Sequence, residues 1–146
     1  MLFLCYCDEI PNKINGRRRK MNLAGELSHR QRRNNMENEI IMQNGVLLVV
    51  FSGDLDLKSA DRYREKIDEA IVRTNAQYLV FDLSEVDFID SSGLGMMLGR
   101  YKRIKQKGGR VALCGIHQQL DRMIEVSGLR SLMPVYESRE AAMEGV

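Results

Sequence analysis

From Phe88 to Gly95 the chain reads Phe-Ile-Asp-Ser-Ser-Gly-Leu-Gly, so a carboxylate, two hydroxyls and two glycines fall between Asp90 and Gly95. The apolar run Tyr78 to Leu83 lies upstream. Leu94, Met97, Leu98, Tyr101 and Ile104 follow at helical spacing. The serines therefore stand where a strand passes into a helix. A helix N-terminus presents unpaired N–H groups and the positive end of a macrodipole, and it tolerates an anion such as a phosphate. Two readings of the local residues stay open. Ser91 or Asp90 is an N-cap, worth roughly 1 kcal/mol, or Ser91 is an exposed hydroxyl open to phosphorylation, its phosphate accepting the first-turn N–H groups of Gly93 and its neighbours. Asp56 has the same ambiguity, as cap of a helix starting near Leu57 or as a carboxylate on the rim beside Ser91.

Other chemistries find less support. Asp82, Asp87 and Asp90, near one strand end, are of the type that holds magnesium for a phosphatase, although loop carboxylates are usually just solvated. A serine hydrolase needs Gly-x-Ser-x-Gly and a positioned His; Ile89-Asp90 occupies the wrong places, and His117 falls at a helix entrance. Gly108-Gly109-Arg110 lacks the spacing and the Lys-Ser/Thr pair of a phosphate loop. Cys5, Cys7 and Cys114 are too few for a zinc site or a disulfide framework, which suits a reducing, cytoplasmic setting. No cofactor or metal is expected.

The elements that must position Asp90 and Ser91 follow from the pattern. Ile40-Ile41-Met42 and Val46 to Phe51, joined through Asn44-Gly45, predict a hairpin. Ser52 to Asp56 leaves the second strand. Ala60, Tyr63, Ile67, Ala70 and Ile71 mark a helix face ending near Thr74-Asn75. A strand from Tyr78 to Leu83, a connection from Ser84 to Asp90 and a helix from Ser91 to Lys107 come next, the last stopped by Gly108-Gly109. Arg110 to Cys114 is a strand with Cys114 in the core. Leu120, Met123, Ile124 and Val126 support a short helix closed at Ser127-Gly128. Leu132 to Tyr136 suits an edge strand because Pro134 has no N–H to donate. A terminal helix starts at Ser138. The order β-β-α-β-α-β-α-β-α predicts an α/β fold whose mixed, mostly parallel sheet opens with a hairpin.

Length and charge bound the partners. The 146 residues suit one domain. The net charge of +2 hides an asymmetry, because residues 1–35 hold eight Lys/Arg against three Asp/Glu and the remainder is slightly acidic. Residues 1–35 read as a basic tail or as sequence ahead of a true start at Met36, and residues 36–146 as the folded domain. With the basic cluster confined to that tail, direct nucleic-acid binding is not expected. Arg100, Lys102, Arg103, Lys105 and Lys107 read as a solvated helix face complementing the dipole. No apolar run approaches the roughly 20 residues of a membrane span.

Asp90-Ser91-Ser92-Gly93-Leu94-Gly95 after a central strand resembles the signature of the STAS-domain anti-sigma factor antagonists. Gly53-Asp54-Leu55-Asp56, Leu98 to Gln106 and Ser127-Gly128-Leu129 match further stretches in the same order. The likeness covers residues 36–146 and is greatest to the sporulation branch, the stage II sporulation AA type. It implies a STAS fold and a partner switch rather than an enzyme. The unphosphorylated form would bind an anti-sigma factor that is a serine kinase and so free the sporulation sigma factor F. Phosphorylation of Ser91 would end binding, and a serine phosphatase would restore it. A general stress sigma factor is the alternative. Asp56, Asp90, Ser92, Gly93, Leu94 and Gly95 are the implied partner-binding residues, with Gly93 and Gly95 leaving room for the partner and Ser92 in a supporting hydrogen bond. Where the branch has His-His-Thr after Gly-Glu-Leu-Asp, this chain has Leu57-Lys58-Ser59.

Overall fold

A computed structural model describes residues 39–146, so the expectations for residues 1–35 and for a start at Met36 lie outside the described residues. The strands β1 (Ile40–Gln43) and β2 (Val46–Leu55) form the expected hairpin, antiparallel, with Ile40 opposite Val49. Asn44 (φ 52°) and Gly45 (φ 80°) both sit in the left-handed region, which an Asn-Gly pair reaches cheaply and which matches the twist of the strands it joins.

Helix α1 (Leu57–Thr74) buries the five predicted residues and ends on Asn75 in the left-handed conformation. It leads to β3 (Tyr78–Ile89), which runs parallel to β2 from Val46↔Tyr78 to Leu55↔Ile89. Both strands are longer than the pattern predicts. Segments 52–55 and 84–89, expected to be connections, pair with each other, and register shifts at Val50/Ser52 and Gly53/Asp54 absorb the irregularity. Val86 and Ile89 are buried while Ser84, Glu85, Asp87 and Phe88 are exposed, so these residues do not show the clean alternation that marks a half-buried strand.

Helix α2 (Ser91–Gln106) crosses to β4 (Arg110–Cys114), parallel to β3. Helix α3 (Gln118–Val126) and the single turn α4 (Leu129–Leu132), which the pattern does not announce, lead to the two-residue edge strand β5 (Val135–Tyr136). Val126 is 80% exposed rather than in the core. Helix α5 (Arg139–Gly145) is capped by the Ser138 side chain, which accepts from the N–H of Ala141 at 3.1 Å. The sheet order is β1-β2-β3-β4-β5, mixed as predicted.

One face of the sheet packs Leu47, Val49, Phe51, Leu79, Phe81, Val111 and Leu113 against α1, α2 and α3. Met96 and Met97 supply most of what α2 buries in its first turns, while Leu94, Leu98 and Tyr101 are half-buried against the same core. The other face packs Val46, Leu48, Val80, Ala112 and Cys114 beneath Ala142 of α5. Its polar centre is Asp82, 2% exposed, whose Oδ2 accepts from Arg139 Nε at 2.7 Å and Nη2 at 2.6 Å. Burial and the neighbouring Asp82 carboxylate push the Cys114 thiol up to about 12, keeping it neutral and inert as a core residue.

Two polar clusters fix the edges. Glu39 accepts from Ser52 Oγ at 2.8 Å and from the Tyr63 hydroxyl at 2.7 Å, tying the start of β1 to β2 and α1. Burial, reinforced by that carboxylate, raises the Tyr63 pKa. Arg100 is not a solvated charge: its side chain is 12% exposed, and with Arg103 it pairs with Asp68 of α1 at 2.9 to 3.0 Å. This brace ties α1 to α2 well beyond their first turns.

Candidate phosphorylation and docking site

Strands β2 and β3 end side by side, and each passes straight into a helix through an aspartate. Asp90 has extended backbone (φ −100°, ψ −177°), and its Oδ1 accepts from the N–H groups of Ser92 at 2.8 Å and Gly93 at 3.1 Å. The cap is Asp90, not Ser91. A carboxylate on these N–H groups satisfies two of the four orphan donors and meets the positive end of the dipole. Asp56 repeats the arrangement at α1, accepting from Ser59 N–H at 2.9 Å. The Ser59 backbone and side-chain hydrogen bonds hold the Asp56 carboxyl below its ordinary range. Asp56 therefore caps α1, and it stays exposed while doing so.

Ser91 is the first helical residue and is exposed. Because Asp90 already takes the N–H groups of Ser92 and Gly93, a phosphate on Ser91 does not find those donors free. The expected docking of a phosphate onto the N–H groups of Gly93 and its neighbours is therefore corrected, because Asp90 occupies the donors of Ser92 and Gly93. Ser92 is half-buried and contributes its backbone N–H to the cap.

The glycines divide. Gly93 is buried; a Cβ there would meet the Leu55 carbonyl oxygen at 2.7 Å, Leu55 Cβ at 2.9 Å and Ile89 Cγ2 at 3.0 Å. Its missing side chain makes room for the chain's own β2, which corrects its assignment as a partner-facing residue. Gly95 and Gly99 face open space, with nothing within 4 Å of a Cβ, so neither is explained by tight packing on the sheet. Gly95 is exposed and Leu94 half-buried, one turn from Ser91. The N–H of Asp90 donates to Leu55 O at 3.2 Å, locking the two turns together. The rim thus joins Asp56, Asp90, Ser91, Leu94 and Gly95.

The magnesium alternative does not assemble. β3 is extended to Ile89, so Asp82 lies eight residues, roughly 26 Å, up the strand from Asp90. Asp82 is bound to Arg139 and Asp90 is used as a cap. Among the described residues no cluster of three or more His, Cys, Asp or Glu could hold a metal ion. His117 precedes α3 and its Nε2 lies 2.6 Å from Val86 O. Local sequence reading missed the buried role of Gly93, the Asp82–Arg139 pair and the Arg100–Asp68 brace, because each depends on residues distant along the chain. It placed Leu57 at the start of α1 and Phe88 in a connection, but gave no sign that both large side chains are exposed.

A sheet opened by one hairpin, with a capped Asp-Ser-Ser-Gly turn after its central strand, defines a class of regulatory domain. The chain belongs to the STAS domain family, whose profile matches residues 38–142. It is 42% identical over 109 residues to the anti-sigma F factor antagonist of Paenibacillus polymyxa, a match spanning 75% of this chain and 93% of that protein. It is 29% identical over 97 residues to an anti-sigma-B factor antagonist of Listeria monocytogenes, covering 66% and 83% of the two chains. The fold superposes on the Bacillus cell fate determinant SpoIIAA in its phosphorylated form with a TM-score of 0.60 and 25% identity, covering 73% of this chain and 96% of that one. Among the described residues no helix is long and apolar enough to cross a membrane.

Proposed function

We propose that this protein is an anti-sigma factor antagonist of the sporulation type, switched by phosphorylation of Ser91. In the unphosphorylated form it binds an anti-sigma factor that is a serine kinase, and the sigma factor F held by that kinase is released. The kinase then transfers the γ-phosphoryl group of ATP to Ser91 Oγ; the O–H proton leaves, the bond to the β-phosphate breaks, and ADP departs. A serine phosphatase hydrolyses the ester and restores the binding form. The protein acts in the cytoplasm as a binding partner and substrate, not as an enzyme.

The observation that carries this reading is the exposed Ser91 hydroxyl beside a cap that does not depend on it. Asp90 secures the helix start with or without a phosphate on Ser91, so modification alters the surface and leaves the fold intact. A phosphoserine adds about −1.5 to −2 charges where Asp56 and Asp90 already stand, and a surface complementary to a neutral hydroxyl becomes repulsive. The higher identity to the anti-sigma F antagonist, 42% against 29% for the anti-sigma-B antagonist, favours the sporulation pathway over the general stress alternative. Incubation with ATP and the cognate anti-sigma kinase should label wild type and leave Ser91→Ala unlabelled. Equal labelling of the two would overturn the assignment.

A further inference from the structure

Leu57 is 62% exposed and Phe88 49% exposed on the rim that carries Ser91. Both are large apolar side chains left in water, and neither position requires one. Leu57 is the first residue of α1, where capping is done by Asp56. Phe88 is opposite Asp54 in the register and points away from the core that its neighbour Ile89 enters. We propose that Leu57 and Phe88 are the apolar part of the surface by which the anti-sigma serine kinase grips this protein, an inference that rests on the Ser91 reading above.

Position identifies the occupant. A protein that brings a phosphoryl donor to Ser91 Oγ covers about 800 Å² of this chain, a disc roughly 30 Å across. Phe88 is three residues before Ser91, and Leu57 is two residues beyond Leu55, whose carbonyl holds the Asp90 N–H and whose side chain touches the Gly93 turn. Both residues fall inside that disc. Interface energy concentrates in a few buried apolar or aromatic anchors surrounded by a polar rim. Here the rim consists of the exposed carboxylates of Asp54, Asp56 and Asp87, with Lys58. The complementary kinase surface therefore offers an apolar socket to Leu57 and Phe88. Val72, 65% exposed, is about 22 Å down α1 from Leu57 and lies outside the disc.

The dissociation constant for the purified cognate kinase, measured by calorimetry on the full chain, tests this. Leu57→Asp and Phe88→Asp should each weaken binding about thirtyfold or more, and Leu57→Ala about tenfold. Val72→Asp should stay within about twofold of wild type. Thermal unfolding should show all four variants folded. Should an aspartate variant unfold, Leu57→Ala and Phe88→Ala carry the same comparison. Wild-type affinity in the Leu57 and Phe88 variants, or an equal loss in Val72→Asp, would overturn the docking surface, while labelling of Ser91 in the same preparations would leave the switch standing. A wild-type protein that is neither bound nor labelled would overturn both.

Discussion

The backbone N–H of Asp90 donates to the carbonyl of Leu55 at 3.2 Å, and the buried Gly93 sets the first turn of α2 directly against the same residue. Ser91 is therefore held by the neighbouring strand rather than by its own side chain. A hydroxyl offered to another protein must be exposed and fixed at once, and this contact supplies the fixing without covering the hydroxyl.

The cap should be separable from the switch. Asp90→Ala removes the acceptor for two N–H groups and should cost about 1–2 kcal/mol in urea unfolding, whereas Asp90→Asn should cost less because an amide oxygen still caps.

The glycines should respond in opposite directions. Gly93→Ala forces a Cβ against the Leu55 backbone at 2.7 Å and should destabilise by about 1–3 kcal/mol. Gly95→Ala meets open space and should stabilise by up to about 1 kcal/mol through helix propensity. If Gly95 faces the kinase, that stabilised variant should bind the kinase more weakly, a divergence that paired melts and affinity measurements would reveal.

Charge at Ser91 should act on binding and not on folding. Ser91→Asp should keep the melting temperature of wild type within a few degrees and lose most of its affinity for the kinase. A Ser91→Asp variant that binds as wild type does would remove the electrostatic mechanism.

The pair beneath α5 predicts a large stability effect remote from the rim. Arg139→Met leaves the Asp82 carboxylate, 3% exposed, without its cation and should destabilise by about 3 kcal/mol. Asp82→Asn should recover part of that loss in the double variant, because the uncompensated charge is gone. Chemical denaturation of the four proteins completes the cycle.

Acid should weaken the α1 cap in a defined direction. The Asp56 carboxyl is lowered from 3.8 in the folded state, so its contribution is fully present above that value and is lost as pH falls through the lower folded value. Asp56→Asn should flatten the acid limb of stability against pH below about pH 4 and leave the neutral region nearly unchanged.

Where short-range chemistry decides, the fold is legible in the residues. Asn44-Gly45 specifies its turn through two positive φ angles, and the Ala60-Tyr63-Ile67-Ala70-Ile71 stripe specifies the buried face of α1. The edge strand expected from Leu132 to Tyr136 is shorter, because Leu132 closes the turn α4 and Pro134 precedes Val135–Tyr136. Residues 84–89 are different. Their exposed Ser84, Glu85, Asp87 and Phe88 read as a connection, yet they are a strand because β2 continues alongside to Leu55 and offers its backbone groups for pairing.

At the candidate site, the chain alone determined that a carboxylate and a hydroxyl stand together at a helix start and that the surrounding motifs are those of STAS-domain antagonists. Whether Asp90 or Ser91 caps the helix, and which glycine faces inward, was decided only by the tertiary structure. Strand β2, more than thirty residues earlier, places the Leu55 carbonyl against Gly93 and holds Asp90 by its N–H. A helix start reports its own sequence, but the side of it that remains open to a partner is set by what packs against the other side.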